Sequence, residues 1–366
     1  MKIKRNIESP NDYVLQEDLN HIAYSNVPIN ELENSTVLIT GATGLIGSQI
    51  VKALACCNRL LNTKIRIIGF ARNEEKAKSI FGDMLSNPDI QLVYGDIKKP
   101  LKLIGNIDYI VHGASITGSK DFVTYPVETI NTALEGTRNM LELAKEKRVK
   151  SIVYLSSLEI YGTTNPLLNK VTEKDYGFID IINPRSSYSE SKRMAECLCS
   201  AYSHEFSVPV KIARLTQTFG AGVNYNDNRV FAQFARSVME KKDIVLHTMG
   251  ETVRSYCYIR DAITALLFIL IKGENGRAYN IANMETAISI KDMAEMLTNE
   301  FVETGIKVVM DVSEDVSEFG YNPTVKINLD TSRLQQLGWK AEIGLKEMYR
   351  RMIESMINQR NTVVNE

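Results

Sequence analysis

Short apolar runs rich in β-branched residues recur along the first part of the chain, and stretches with helical spacing of apolar residues separate most of them. The runs are Thr36–Thr40, Lys64–Phe70, Ile90–Val93, Tyr109–His112, Ser151–Leu155 and Val210–Leu215. Strands that alternate with helices are typical of a parallel sheet covered by helices on both faces. The pattern therefore predicts an α/β fold with a doubly wound parallel sheet.

Composition and charge narrow the class of partner. The 366 residues are 44% hydrophobic, which is enough for one large core or two linked lobes. Lys and Arg number 43 against 44 Asp and Glu, so the chain has no net positive charge that would attract nucleic acid or an anionic membrane. We therefore expect a small-molecule partner, with no nucleic acid and no membrane.

Neither targeting nor metal signals stand out. Met1–Tyr13 has no apolar stretch that could serve as a signal peptide, and the apolar run Ala262–Ile271 is shorter than the roughly 20 residues of a membrane span. The cysteines are odd in number without paired metal-ligand spacing, and the histidines are far apart. We expect a cytoplasmic protein with reduced thiols and no metal site.

The first predicted strand runs into a glycine-rich turn, Gly41-Ala42-Thr43-Gly44-Leu45-Ile46-Gly47, and Ser48–Ala55 follows as a helix. Two glycines allow a sharp turn and a close approach to a pyrophosphate, and the third lets the helix lie close to the strand. Free N–H groups and the positive end of the helix dipole then hold the phosphates. The alternative is an ordinary glycine-rich turn, but its place after the first strand favours a Rossmann-type dinucleotide site. The predicted cofactor-binding residues are Gly41, Thr43, Gly44, Leu45, Ile46 and Gly47.

The regular alternation fades after Gly220 and returns as helices and short strands from Ser289 onward. We therefore predict a smaller C-terminal lobe that binds the substrate. The predicted division is an N-terminal extension (1–34), a dinucleotide-binding domain (35–220 plus 248–285), a substrate-binding lobe (221–247 plus 286–355) and a tail (356–366).

The residues that follow the second and third strands bear on the adenosine half of the cofactor. An acidic residue after the second strand favours NAD through the ribose 2′-hydroxyl, but this chain has Arg72 there, which can pair with the 2′-phosphate of NADP. A solvated arginine that begins a helix is the alternative. After the third strand, Asp96 is placed to accept from the adenine amino group, and Ile97 to cover the ring.

Candidate catalytic residues occur in Ser187-Tyr188-Ser189-Glu190-Ser191-Lys192, at the start of a predicted helix. Tyr188 and Lys192 share one face of that helix at positions i and i+4. A tyrosine has a pKa of about 10, and a neighbouring ammonium favours its phenolate, which can take a proton from a substrate hydroxyl. Tyr-x-x-x-Lys also occurs by chance, but the strand that ends in Ser156-Ser157-Leu158-Glu159 delivers hydroxyls and a carboxylate to the same edge of the sheet.

With these motifs in place, the sequence resembles the extended short-chain dehydrogenases/reductases of the NAD-dependent epimerase/dehydratase family, over about Ser35–Glu354. That group holds nucleotide-sugar epimerases, 4,6-dehydratases and UDP-glucuronate decarboxylases. The motifs that carry the resemblance are the glycine turn, Gly95-Asp96-Ile97, Val111-His112-Gly113-Ala114-Ser115, Asn131 with Gly136-Thr137, the Ser157 strand, Tyr188 and Lys192. The resemblance implies NAD as the cofactor, further cofactor contacts at Gly113, Ala114, Ser115, Asn131 and Lys192, and a homodimer paired through the helices predicted at 127–146 and 190–206.

Similarity is strongest to the UDP-glucuronate decarboxylase branch, in Asn183-Pro184-Arg185-Ser186-Ser187-Tyr188, Asn228-Arg229-Val230-Phe231 and Val253-Arg254-Ser255-Tyr256. It implies that Ser157 is the catalytic hydroxyl residue and that Glu159 is a further acid/base. It also implies that Gln217, Arg229 and Arg254 bind the substrate, with the arginines on its diphosphate. For both arginines the alternative is a structural ion pair.

Two positions depart from that branch. Decarboxylases carry Ser and dehydratases often Asp where this chain has Leu158, and leucine cannot move a proton. Ala71-Arg72 also stands where decarboxylases usually have an acid. These differences suggest a divergent subgroup with an unusual substrate.

The leading hypothesis is a nucleotide-sugar epimerase or dehydratase that oxidises a nucleotide-diphosphate sugar at C4 with Tyr188 and Lys192. The alternatives are an NADP-dependent oxidoreductase acting on a nucleotide-linked sugar or alditol, and a UDP-glucuronate decarboxylase-like enzyme. A non-catalytic dinucleotide-binding module belongs to another class, and the intact set of Ser157, Tyr188 and Lys192 argues against it.

Overall fold

The computed structural model describes residues 7–312 and 324–364. Parts of the predicted extension, lobe and tail, at 1–6, 313–323 and 365–366, lie outside the described residues. The α-helices are α1 (Tyr13–Tyr24), α2 (Leu45–Leu61), α3 (Glu74–Phe81), α4 (Ser119–Thr124), α5 (Pro126–Lys147), α6 (Ser187–Phe206), α7 (Val230–Glu240), α8 (Ile259–Lys272), α9 (Ile290–Glu300), α10 (Ser332–Gln335) and α11 (Leu345–Val364).

The strands are β1 (Thr36–Thr40), β2 (Arg66–Ala71), β3 (Ile90–Tyr94), β4 (Tyr109–His112), β5 (Ser151–Ser157), β6 (Val210–Leu215), β7 (Gln217–Phe219), β8 (Ile244–Leu246), β9 (Val253–Tyr258), β10 (Ala278–Ile281), β11 (Asn283–Ser289), β12 (Val308–Met310) and β13 (Lys326–Ile327). Seven of them form one parallel sheet in the order β10-β6-β5-β4-β1-β2-β3. The predicted doubly wound parallel sheet is confirmed, and chain order reverses beside β1, where such folds bind ligands.

Alternate residues of the strands enter two hydrophobic cores, because successive side chains of a strand point to opposite faces. Val37 and Ile39 of β1 pack with α2 and α8 in one core, whereas Leu38 packs with α5 and α6 in the other. The apolar run Ala262–Ile271 lies in α8, where Ala262–Leu270 are buried.

Helices α5 and α6 pack against each other over the second core. Val127 and Met194 are exposed on this pair. An apolar surface is therefore left on the side away from the sheet.

Residues of the predicted N-terminal extension contribute to the first core. Helix α1 buries Val14, Leu19 and Ile22 against α2, α8 and α11. Asp12 caps the helix by accepting from the N–H of Leu15 at 3.1 Å. This segment therefore packs against the helix that follows the glycine turn.

A smaller sheet and one strand pair complete the described chain. Strands β11, β9 and β13 form the smaller sheet with β7 beside β9, and β8 pairs with β12. Strand β10, from the predicted segment 248–285, joins the main sheet, whereas β9 from the same segment joins the smaller one. The division into domains stays a prediction.

Candidate active site

The carboxyl ends of β1, β4 and β5 lie side by side and bring the glycine turn next to the predicted catalytic residues. A Cβ on Gly41 would lie 2.8 Å from the carbonyl oxygen of Gly113, and one on Gly113 would lie 3.1 Å from Leu155. The carbonyl of Leu155 in turn accepts from Lys192 Nζ at 2.7 Å. A continuous set of contacts thus runs from the turn to the predicted catalytic lysine.

The glycine turn has the backbone that a pyrophosphate requires. Gly41 has φ +71°, a left-handed conformation that favours glycine, and a Cβ on Gly47 would come within 2.2 Å of the Gly41 oxygen. Gly44 caps α2 without any side-chain hydrogen bond. The first N–H groups of a helix lack partners inside it, so this end of α2 fits a phosphate ligand. Thr43 lies in the same turn, and Leu45 and Ile46 are the first residues of α2.

The predicted adenosine contacts follow β2 and β3. Arg72 is exposed, and the side chain of Asn73 accepts from the N–H of Lys76 at 2.8 Å to cap α3. Asp96 accepts from the N–H of Lys98 at 3.0 Å. The side chain of Ile97 is buried in the second core, so it holds this loop against α5.

The other predicted cofactor contacts lie on β4 and α5. The N–H of Ala114 donates to the hydroxyl of Thr40 at 3.2 Å, which ties the ends of β4 and β1 together. Ser115 donates to the carbonyl of Ile116, and Asn131 is half-buried on α5.

A buried, neutral histidine connects these strand ends to α5. The Nδ1 atom of His112 lies 2.7 Å from the Thr40 hydroxyl, and Nε2 lies 3.3 Å from that of Thr137. Burial, with a further contribution from Lys192, lowers the pKa of His112 to about 3. An uncharged ring avoids repulsion with the lysine.

Lys192 is buried, with Nζ 5.8 Å from the ring centroid of Tyr188 and 4.8 Å from that of Tyr154. Burial lowers the pKa of Lys192 to about 8, and Glu196 one turn further along α6 opposes that shift. The two predicted catalytic residues therefore lie on the same side of α6.

The Tyr188 ring stacks on Phe122 of α4, with centroids 4.3 Å apart and planes 9° apart. Burial first and Glu159 second raise the pKa of Tyr188 above its ordinary value, whereas Ser157 and Arg185 lower it. Lys192 has no resolved effect on the pKa of Tyr188 in this structure. The predicted lowering by Lys192 stays a prediction for the enzyme with cofactor.

Glu159 lies in a 3₁₀ helix, Leu158–Tyr161, that Ser157 caps by accepting from the Glu159 N–H at 3.2 Å. The Nη2 atom of Arg185 donates to both carboxylate oxygens, at 3.2 and 3.1 Å, and Ser189 donates to one of them at 3.3 Å. Leu158 is buried in a separate apolar cluster. Glu159 is the acidic residue that acts on Tyr188. Sequence reasoning did not predict that Arg185 binds Glu159, although Arg185 stands in the motif that precedes Tyr188.

Sequence reasoning also missed a buried ion pair behind the site. Arg214 of β6 binds Glu196 of α6 through three hydrogen bonds of 2.6–3.1 Å. Glu196 accepts from Ser156 at 2.5 Å, next to Ser157. A charged residue inside the apolar strand β6 was the sequence signal that pointed to a buried partner.

The predicted substrate residues lie near the smaller sheet. Gln217 is half-buried on β7, in register with Tyr256 of β9. Arg254 on β9 has a buried Nε atom without a hydrogen-bond partner in residues 7–312 and 324–364. Arg229 is exposed and binds Asp227 at 2.6 Å, and its contact with the substrate stays a prediction.

A cleft of about 430 Å³ lies elsewhere, lined by Glu173, Arg277, Tyr279, Asp330 and Arg333 among others. Its lining includes none of the predicted site residues. In the part of the chain that the structure describes, no group of three or more His, Cys, Asp or Glu could hold a metal ion. In the same part, no helix has the length and apolar character to cross a membrane.

Comparison with known proteins gives a family, relatives and solved structures. The sequence profile of the NAD dependent epimerase/dehydratase family matches residues 37–282. UDP-glucuronic acid decarboxylase 6 of Arabidopsis thaliana is 30% identical over 317 residues, which cover 86% of each chain. UDP-glucuronic acid decarboxylase 5 of the same plant is 29% identical over 316 residues, 86% of this chain and 87% of the relative.

Two solved structures share the fold. The dTDP-glucose 4,6-dehydratase DesIV of Streptomyces venezuelae, with NAD and TYD bound, superposes with a TM-score of 0.73 at 20% identity, over 89% of this chain and 98% of that one. UDP-glucose 4-epimerase of Thermotoga maritima, with UDP-glucose, has a TM-score of 0.73 at 19% identity, over 90% and 99%.

Proposed function

The chain belongs to the NAD-dependent epimerase/dehydratase family, and from that premise we propose that it oxidises a nucleotide-diphosphate sugar at C4 and then acts on the neighbouring carbon. The observation that carries the proposal is the grouping of Ser157, Tyr188, Lys192 and Glu159 at the sheet edge that also holds the glycine turn. Ligands of this architecture bind at that edge.

The glycine turn and the N-terminal end of α2, which no side chain caps, fit a dinucleotide, so Gly41, Gly44 and Gly47 hold the pyrophosphate in this proposal. When bound, the nicotinamide supplies a hydride acceptor and donor. Lys192 lies on the side of α6 that faces β5, where its Nζ donates to the carbonyl of Leu155. Its ammonium orients the ribose and favours ionisation of Tyr188.

Tyr188 takes the proton from the C4 hydroxyl, and the Ser157 hydroxyl holds the same oxygen. The stacking on Phe122 fixes the ring of Tyr188 for this transfer. A ketone at C4 makes the hydrogen on C5 more acidic, and Glu159 then moves the proton at that position. Leu158 is buried and has no proton to give, so Glu159 is the second acid/base in this proposal.

The substrate class rests on the relatives and on Arg254. The similar plant proteins are named UDP-glucuronic acid decarboxylases, and their similarity extends over most of this chain. The buried Nε of Arg254 suits a phosphate or carboxylate oxygen. The proposed partner is a nucleotide-diphosphate sugar, and the proposed location is the cytoplasm.

Mass spectrometry of a panel of sugar nucleotides incubated with the enzyme and NAD tests the function. Loss of water identifies a dehydratase, loss of carbon dioxide a decarboxylase, and an unchanged mass with a new retention time an epimerase. If the purified protein changes none of the sugar nucleotides, the proposal is wrong and the binding-module alternative gains support.

A second candidate is net oxidation or reduction with exchangeable NADP(H), favoured by Arg72 at the end of β2. We expect Arg72→Ala to weaken NADP binding by about 10- to 100-fold, because a guanidinium–phosphate contact is lost, while NAD binding changes little. Calorimetric titration of both dinucleotides measures this. Arg66→Ala, at the other end of β2 and paired with Gln91, is the matched control. Equal loss for NAD and NADP would contradict a role at the 2′-phosphate.

We also propose a homodimer paired through α5 and α6, where Val127, Ile130 and Met194 are exposed apolar residues. An apolar surface on two adjacent helices favours pairing with a copy of itself. Ile130→Glu/Met194→Glu is expected to convert dimer to monomer in sedimentation velocity. Val302→Glu, which changes an exposed apolar residue elsewhere, should not. A wild-type monomer at every concentration would disprove the dimer.

A further inference from the structure

Arg185 lies where three parts of the proposed catalytic site meet. It belongs to the 3₁₀ helix Pro184–Ser186, just before α6. Its Nη2 atom donates to both oxygens of Glu159, and its Cζ atom lies 4.7 Å from the centre of the Phe122 ring. That ring stacks in turn on Tyr188. One guanidinium therefore touches the carboxylate and the aromatic ring that holds the phenol.

The contact between Arg185 and Glu159 is sheltered from solvent. The two side chains are only 11% and 12% exposed, so water and salt screen their attraction weakly. Ser189 adds a third hydrogen bond to the same carboxylate. These contacts fix both the charge and the orientation of Glu159.

A carboxylate beside a phenol opposes ionisation of that phenol, because two like charges would then lie close together. Glu159 accordingly raises the pKa of Tyr188, and Arg185 lowers it. The other titratable groups around Tyr188 are Lys192, on the same helix, and Tyr154 on β5. Burial raises the pKa of Tyr154, so it stays neutral, and Lys192 donates to the carbonyl of Leu155 rather than to Glu159. Arg185 is the cation that directly contacts Glu159.

We propose that Arg185 is a positioning residue that holds the Glu159 carboxylate in place and neutralises its charge beside Tyr188, so that both residues can act in the same turnover. The inference rests on the proposed function. Without Arg185, the carboxylate that serves the later proton transfer would suppress the phenolate that starts the reaction. Glu159 and Tyr188 thus act in one turnover only while this guanidinium neutralises the charge of Glu159.

The pH dependence of the first step tests this role. The step is measured as the rate of nicotinamide reduction after the enzyme with NAD is mixed with its sugar nucleotide. Arg185→Met should move the rising limb of the profile to higher pH by about one unit, which makes the step about tenfold slower at neutral pH. Arg185→Lys keeps the positive charge and should restore most of the profile. Arg185→Gln provides a second neutral variant if the methionine variant does not fold.

A double-mutant cycle separates this role from a merely structural one. Glu159→Gln removes the charge that Arg185 neutralises, so in that background Arg185→Met should shift the profile much less, by the direct effect of Arg185 on Tyr188 alone. Arg277→Met is the matched control, because Arg277 forms an exposed ion pair with Glu274 and lies outside the proposed site. Its profile should be that of the wild type.

The outcomes are distinguishable. An active wild type whose pH profile is unchanged by Arg185→Met, or shifted equally in the Glu159→Gln background, overturns the role of Arg185 and leaves the proposed function standing. If none of the sugar nucleotides leads the wild type to reduce its cofactor, the proposed function is wrong, and the role of Arg185 is wrong with it. A shift that becomes much smaller in the Glu159→Gln background supports both.

Discussion

Replacing Tyr188 by phenylalanine is expected to slow turnover by about 10²–10⁴-fold while dinucleotide binding is retained, because only the proton-transferring hydroxyl is removed. The ring keeps its stacking on Phe122, at 4.3 Å between centroids, so the packing of α4 on α6 should persist. Single-turnover kinetics measure the first loss, and calorimetric titration with NAD measures the second.

Tyr202→Phe is the control for this variant. Tyr202 lies on the same helix and donates its phenol hydrogen to Glu142 at 2.5 Å. It is far along α6 from the glycine turn, so its loss should leave turnover within a fewfold of wild type. Loss of both turnover and NAD binding in Tyr188→Phe would mean that the tyrosine is structural, and the proposed chemistry would have to be abandoned.

The strands of the main sheet follow closely from the sequence, because a buried strand must be apolar on both faces. Strands β1, β4 and β6 begin and end where the pattern places them. Strand β2 starts at Arg66 rather than Lys64, because Lys64 adopts a left-handed backbone with φ 55° that a strand does not accommodate. Helix α2 extends to Leu61, well beyond the predicted Ala55, and ends where Asn62 turns left-handed.

Local motifs led to the proposed catalytic residues but not to the residues that contact them. Tyr188 and Lys192 are four positions apart on one helix, so their spacing alone predicts that they lie together. Arg185 and Glu159 are joined only by the packing of the two 3₁₀ helices that carry them. The stacking of Phe122 on Tyr188 likewise depends on how α4 meets α6. Such contacts depend on tertiary packing, which no periodicity encodes.

The ion pair between Arg214 and Glu196 is the contact from which we expect the largest effect on stability. Arg214 is 2% exposed, and besides Glu196 it donates to the phenol of Tyr161 at 3.0 Å and to the carbonyl of Glu173 at 2.8 Å. Arg214→Met would leave the Glu196 carboxylate buried without its cation. Removing one partner of a buried pair costs about 3–5 kcal/mol. Urea unfolding followed by circular dichroism should show this as a lower midpoint.

The double variant Arg214→Met/Glu196→Met decides whether buried charge is the cause. It leaves no buried carboxylate, so it should be more stable than Arg214→Met alone, although it has lost more polar contacts. Because Glu196 also accepts from Ser156 beside Ser157, the proposed catalytic hydroxyl residue, the double variant should recover stability without recovering turnover. If both variants unfold at the same midpoint, the cost lies in lost packing around Arg214 rather than in its charge. Full activity in the double variant would show that this pair stabilises the fold without positioning the active site.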